Sequence, residues 1–244
     1  LARPRHGEKE ITETRAGIEI MIAVDVSRSM LASSTDDAKG ISRLDRAKFL
    51  FNKLINSLEN DKVGLVVFAG NSSLQLPITN DFVSAKIYIN DLSTSMINEQ
   101  GTDIGAAIDM ALQGFSSDED VNRAIILLTD AEDHEEQAVA VADKARQAGV
   151  QVNVIGVGTA KGALIPIGNG SSEFLKDETG TPVTTRFNAD AARKIAESGS
   201  GNYINGNDAD ADQQMVKLLD KIDKADLGSV KYKASAERFY IFLW

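Results

Sequence analysis

Residues 17–26 read GIEIMIAVDV, a run that is almost wholly apolar after Glu19 and ends close to an aspartate. Such a strand is typical of a parallel sheet that is covered by helices on both faces. Similar apolar strands are predicted at 62–70, 123–130 and 150–158, and segments with helical periodicity separate them. This alternation predicts an α/β fold with a three-layer, doubly wound and mostly parallel sheet.

Two segments depart from this alternating pattern. Residues 73–79 alternate in polarity and contain Pro77, which favours an antiparallel strand at the edge of the sheet. Residues 159–187 are rich in glycine and threonine and show little helical period, so we predict a β-hairpin insertion there.

Composition excludes several classes of function. The chain of 244 residues has a net charge of −10, which argues against a nucleic-acid-binding protein. It contains no cysteine, so disulfides, thiol catalysis and thiolate metal sites are excluded. Its two histidines, His6 and His134, are isolated from each other and do not predict a zinc site.

The predicted domain spans 18–224, between a polar lead-in at 1–17 and a C-terminal flank at 225–244. No apolar run reaches the roughly 18 residues that a membrane helix needs. The last residues, 239–244, are nonetheless almost entirely apolar and rich in aromatic side chains. They are interpreted either as a final strand packed on the core or as the start of a truncated membrane helix.

Three polar clusters fall at the edge of the sheet where ligands bind in open parallel sheets, two after strands and one at the start of a helix. All of them offer oxygen, the ligand atom that hard cations such as Mg²⁺ prefer. They are Asp25, Ser27 and Ser29 after the first strand, the stretch Gly101–Asp103, and the stretch Thr129–Asp133. The sequence therefore predicts a cation site, with a free coordination position for a carboxylate from elsewhere.

Simpler roles stay open for several of these residues. Thr102 or Asp103 is also suited to capping the following helix, and the two roles are compatible. Glu132 and its acidic neighbours are interpreted as a solvated first helical turn. Arg28 either helps to select an acidic partner or is plain surface. Met96 and Ile97 form either an exposed contact patch or part of the core.

The motif D-x-S-x-S, a threonine before a later helix and an aspartate ending a later strand together resemble a von Willebrand factor type A domain with a metal-ion-dependent adhesion site. The matching residues are Asp25, Ser27, Ser29, Thr102 and Asp130. The resemblance implies that the three hydroxyls bind Mg²⁺ or Mn²⁺ directly, with Ca²⁺ ranked below both. It implies that the two aspartates act directly or through water, and that an acidic residue of a protein partner completes the coordination. Gly101 is expected to let the Thr102 loop approach the metal closely.

Longer stretches resemble the bacterial Bat proteins, named for Bacteroides aerotolerance. They include TRAGIEIMIAVDVSRSMLA, DKVGLVVFAG, GTDIGAAI and IILLTDAEDHE. That resemblance implies a domain anchored at the inner membrane through segments outside this chain, on the periplasmic side, with the cytoplasmic face as the alternative. It also implies stress-related roles beside other Bat-type proteins and a MoxR-type ATPase.

Three functions are compared on these grounds. The favoured one is a metal-dependent protein-binding module rather than an enzyme. The second is a structural adaptor, linked to a MoxR-type ATPase, whose metal only stabilises the fold. The third is a Mg²⁺-dependent phosphotransferase of the haloacid dehalogenase type, which needs a second aspartate where Ser27 stands. The chain contains no phosphate-binding loop of the form G-x-x-x-x-G-K-[ST].

Overall fold

The computed structural model describes residues 17–117, 121–132, 135–168 and 171–230. Within these ranges the strands are β1 (Glu19–Asp25), β2 (Lys62–Phe68), β3 (Ser72–Thr79), β4 (Arg123–Thr129), β5 (Val150–Gly156), β6 (Ala163–Leu164), β7 (Thr184–Thr185) and β8 (Ser200–Asn205). The helices are α1 (Arg43–Ser57), α2 (Phe82–Asn90), α3 (Ile104–Gln113), α4 (Glu135–Gln147), α5 (Ala189–Ser198) and α6 (Ala211–Val230), and a 3₁₀ helix spans Arg28–Leu31.

Six strands form one sheet in the order β3-β2-β1-β4-β5-β8. β1 lies at its centre and pairs in parallel with both β2 and β4. β3 pairs antiparallel with β2 at the edge, and the ring of Pro77 is exposed there. The predicted α/β architecture with an antiparallel edge strand is therefore confirmed.

Alternation along β1 divides the core into two layers. Ile20, Ile22 and Val24 pack in a cluster with apolar side chains of α1, α2 and α6. Met21 and Ala23 point to the opposite face and pack with α3, α4 and α5. All seven residues of β1 are buried, because helices cover the sheet on both sides.

Between β5 and α5, the chain forms a second, small antiparallel sheet. Ala163 and Leu164 of β6 pair with Thr185 and Thr184 of β7. Single bridges join Pro166 to Phe174 and Lys176 to Pro182. We call residues 159–187 the insertion. The predicted hairpin character of this segment is confirmed.

The last helix, α6, extends past residue 224, where the sequence analysis places the end of the domain. None of the helices in the described part of the chain is long and apolar enough to cross a membrane. Most of the predicted lead-in and the apolar end at 239–244 fall outside the described residues.

Candidate metal site

Asp25 lies at the carboxyl end of the central strand and is fully buried. One carboxylate oxygen, Oδ1, accepts a hydrogen bond of 2.9 Å from the backbone N–H of Ser27. The other, Oδ2, accepts one of 2.8 Å from the hydroxyl of Thr129, at the end of the neighbouring strand β4. Thr129 belongs to one of the predicted polar stretches but not to the five matching residues, and its hydroxyl fixes the orientation of the Asp25 carboxylate.

Ser27 and Ser29 lie where the chain turns from β1 into the 3₁₀ helix. Their hydroxyl oxygens are 2.9 Å apart. Met30 is fully buried in the core and anchors this short helix. The motif D-x-S-x-S thus brings two hydroxyls together beside the buried carboxylate of Asp25.

Thr102 reaches the same edge of the sheet through the loop before α3. The N–H of Asp103 donates a 2.7 Å hydrogen bond to the carbonyl of Ala69, which follows β2. β2 is the strand whose last residue, Phe68, pairs with Asp25. The Asp103 carboxylate caps α3 by accepting a 2.8 Å hydrogen bond from the N–H of Ala106. Because Asp103 supplies the cap, the Thr102 hydroxyl is left for another role.

Gly101 has a φ angle of +132°, a conformation that side-chain-bearing residues rarely adopt. A β-carbon built there would lie 3.3 Å from the α-carbon of Gly70. We expect Gly101→Ala to lower the free energy of unfolding by about 1–3 kcal/mol, because alanine strains this backbone. Urea denaturation would measure the change. Gly168→Ala is the matched control, since an added methyl group there meets no atom within 4 Å. Equal effects of the two substitutions would contradict the strain argument.

Asp130 follows β4 and is also fully buried. Its Oδ2 forms a 2.5 Å ion pair with Nη1 of Arg43, whose side chain is completely shielded from solvent. Arg43 is the first residue of α1, and Ser42 caps that helix by accepting from the N–H of Asp45. Asp130 is one of the predicted site residues, whereas Arg43 is not among them.

A signal for Arg43 exists in the sequence. A positive charge in the first turn of a helix opposes the helix dipole, so an arginine directly after a capping serine indicates an interaction elsewhere. That interaction also reaches the insertion: Nη1 donates 2.9 Å to the Thr185 hydroxyl, and Nη2 donates 3.2 Å to the Thr185 carbonyl.

Glu132 corrects another expectation. It precedes α4 rather than forming its first turn, and its carboxylate is bound instead of merely solvated. Oε2 accepts a hydrogen bond from the Thr185 hydroxyl, and Oε1 accepts one of 3.2 Å from the N–H of Arg186. Asp133 and His134 lie outside the described residues.

The structure bears on two smaller alternatives. Ile97 is buried in the core cluster, with Met96 packed against that cluster, so their interpretation as an exposed contact patch is wrong. Arg28 is exposed on the 3₁₀ helix, which agrees with either of its predicted roles.

The electrostatics of the cluster favour a cation. Burial, and next the negative charge of Asp130, raise the pKa of Asp25 from 3.8 to about 7, while the hydrogen bonds from Ser27 and Thr129 act in the opposite direction. A buried carboxylate whose ionised form is disfavoured in this way, as that of Asp25 is, is stabilised when a positive ion lies near it.

The donor set fits a hard cation. In the described part of the chain, no group of three or more histidine, cysteine, aspartate or glutamate side chains could hold a metal ion. A cation here would therefore use hydroxyls beside the carboxylates, as the set Ser27, Ser29, Thr102, Asp25 and Asp130 offers. All five contribute oxygen, which suits Mg²⁺ and Mn²⁺.

Comparison with known proteins shows the family of the chain. Residues 20–132 match the model of the von Willebrand factor type A domain. The crystal structure of BatB, a conserved hypothetical protein from Bacteroides thetaiotaomicron, is 42% identical, covers 85% of this chain and 100% of its own, and has a TM-score of 0.80. An aerotolerance-related membrane protein from Bacteroides fragilis was solved with multiple mutations to serine. It is 45% identical, covers 85% of this chain and 100% of its own, and has a TM-score of 0.77.

More distant proteins extend the comparison. An uncharacterized protein of Borreliella burgdorferi is 33% identical over 168 residues, which are 66% of this chain and 47% of that protein. The chain thus spans about half the length of the curated relative it matches. Proximal thread matrix protein 1 from the mussel byssus, solved with a zinc-occupied metal-ion-dependent adhesion site, shares the fold at 18% identity, 86% and 46% coverage and a TM-score of 0.56. On the family match and the two Bacteroides structures, the chain belongs to the von Willebrand factor type A domain family and is similar to BatB.

Proposed function

We propose that this domain is a Mg²⁺-dependent protein-binding module that captures an acidic side chain of a partner protein. Family membership supports an interaction module in general. The cation and the partner's carboxylate are the steps that we add. Ser27, Ser29 and Thr102 would hold the ion through their hydroxyls, and Asp25 and Asp130 directly or through water. The bound ion would supply a positive charge and an open coordination position.

One observation carries the proposal: the balance of buried charges. With both aspartates ionised, Asp25, Asp130 and Arg43 together carry one negative charge, and all three are shielded from solvent. A divalent cation would turn this balance into one positive charge. Because a buried unpaired charge is costly, a carboxylate from a second protein would be a favourable final ligand.

Mg²⁺ is the ion that we favour, followed by Mn²⁺. Ca²⁺ takes six to eight oxygen ligands, commonly with several carboxylates, and is less suited to a cluster in which hydroxyls are the majority. The zinc in the mussel protein belongs to a distant relative and is support only for a metal at the corresponding motif.

The adaptor hypothesis is the second candidate, in which a metal stabilises the fold and a partner binds elsewhere. The charge balance disfavours the adaptor hypothesis, because without a partner's carboxylate the site with its ion would keep one positive charge. A phosphotransferase is disfavoured by Ser27, which stands where that class needs an acid and donates its N–H to Asp25.

A membrane anchor, a periplasmic location and an association with Bat-type proteins or a MoxR-type ATPase remain parts of the proposal. The B. fragilis relative, described as a membrane protein, supports the anchor.

The experiment is a binding assay with the immobilised chain and a membrane extract of the source bacterium. We expect at least one protein to bind in Mg²⁺, to be released by a chelator and to be lost with Ser29→Ala. Ser57→Ala, at the far end of α1, is the matched control and should bind as the wild type does. Neutralising one acidic residue of the captured protein should abolish its binding. Retention that survives both the chelator and Ser29→Ala would favour the adaptor.

A further inference from the structure

The base of the insertion lies directly against the candidate metal site. The N–H of Asn188, just after the insertion, donates 3.0 Å to the carbonyl of Asp130. Three residues earlier in the chain, the hydroxyl and the carbonyl of Thr185 accept hydrogen bonds from the guanidinium of Arg43. The same hydroxyl donates to Glu132. The insertion and the candidate metal site therefore share one hydrogen-bond network.

Arg43 is the centre of this network. Its Nη1 contacts Asp130 and Thr185 simultaneously, at 2.5 and 2.9 Å. A β-carbon built at Gly158 would come within 2.8 Å of Arg43 Nε, so packing leaves the guanidinium little freedom. A change in the strength of the Asp130–Arg43 ion pair must therefore change the hydrogen bonds between Arg43 and Thr185.

We propose that Arg43 is a positioning residue that couples the candidate cation site to the insertion, so that an ion bound beside Asp130 alters the stability of residues 159–187. This inference rests on the proposed function. It adds that the insertion is a cation-responsive surface beside the site. The physical reason is competition: a cation and the Arg43 guanidinium both draw on the negative charge of Asp130.

The insertion is built to respond to a small change at its base. Backbone hydrogen bonds join its strands, among them Leu175 N–H to the Ile165 carbonyl and Val183 N–H to the Leu175 carbonyl, each 2.8 Å. Much of it is exposed, and the Ile167 side chain is 60% accessible to solvent. Segments with few buried contacts open at low free-energy cost, so their opening reports weak coupling well.

The first residues of the insertion are attached to the domain by a separate set of contacts. Asp36, in the loop before α1, accepts a 2.6 Å hydrogen bond from Lys161 Nζ and one from the Thr159 hydroxyl. These contacts are on the surface and do not involve Asp130. A substitution of the Thr185 hydroxyl therefore removes the Nη1 contact, which Arg43 shares between Asp130 and the insertion, while the Nη2 contact to the Thr185 carbonyl and the attachment at Asp36 remain.

The test is hydrogen–deuterium exchange of the chain with and without saturating Mg²⁺, with calorimetry on the same samples to measure binding. In the wild type we expect Mg²⁺ to change the exchange rates of the Ile165, Leu175 and Val183 amides by about fivefold or more, a typical allosteric coupling. Thr185→Val should abolish most of that change while Mg²⁺ still binds. Thr185→Ser keeps the hydroxyl and should restore the change.

Thr184→Val is the matched control, because Thr184 is the exposed neighbour on the same strand. It should respond to Mg²⁺ as the wild type does. Mg²⁺ binding to the wild type without a change in the insertion would overturn the coupling and leave the proposed function standing. An equal response in wild type and Thr185→Val would also overturn it. Absence of Mg²⁺ binding to the wild type would overturn the coupling and the proposed cation site together.

Discussion

Asp25→Asn is expected to lower the affinity for Mg²⁺ by about 100-fold or more, the upper range for loss of a carboxylate that binds or orients metal ligands. The variant removes the charge of a fully buried carboxylate and keeps its size. Asparagine is preferable to alanine, because alanine would leave the Ser27 N–H and the Thr129 hydroxyl without their acceptor. Isothermal titration calorimetry with Mg²⁺ and Mn²⁺ measures the affinity.

The fold should tolerate this change. The ionised carboxylate is disfavoured by its burial and by Asp130, so losing the charge relieves a cost that offsets the weaker hydrogen bonds. Asp109→Asn is the matched control, because Asp109 is an exposed aspartate of α3 paired with Lys144. It should bind Mg²⁺ as the wild type does. If Asp25→Asn bound the ion with unchanged affinity, the carboxylate would have no part in the site.

Arg43→Met should lower the free energy of unfolding by about 3–5 kcal/mol, because it leaves Asp130 as a buried charge without its partner. Both side chains of this pair are fully shielded from solvent. Urea denaturation in the presence of a chelator measures the effect without any contribution from a bound ion.

Two controls separate the ion pair from the loss of an arginine. The double variant Arg43→Met with Asp130→Asn should recover much of the stability, because no unpaired charge remains. Arg146→Met removes an exposed arginine that pairs with Asp143 on α4, and should cost less than about 1 kcal/mol. A similarly small effect of Arg43→Met would show that the buried pair is not needed for stability.

The fold was accessible to sequence reasoning because local patterns and tertiary structure agree. The apolar run of β1 predicts a strand that is buried on both faces, and the structure has it at the centre of the sheet. Pro77 predicts an edge strand, where its missing N–H does no harm. Asp81 is of the residue type that caps helices, and its carboxylate accepts hydrogen bonds from the N–H groups of Val83 and Ser84.

The candidate site was accessible only in part. Asp25, Ser27 and Ser29 follow one another in the chain, so their spacing carries the motif. Arg43 and Thr185 are 142 positions apart, and only the packing of the insertion brings them together. Thr129 is close to the predicted residues, but its role depends on β4 lying beside β1, which periodicity alone does not reveal.

The most direct test of the cation site is a crystal structure of the chain grown with Mn²⁺, with the ion located by its anomalous scattering. We expect one strong peak at direct coordination distance from the hydroxyl oxygens of Ser27, Ser29 and Thr102. A peak elsewhere on the molecule would contradict the proposed site. So would the absence of a peak at these hydroxyls at an Mn²⁺ concentration that saturates the protein in solution.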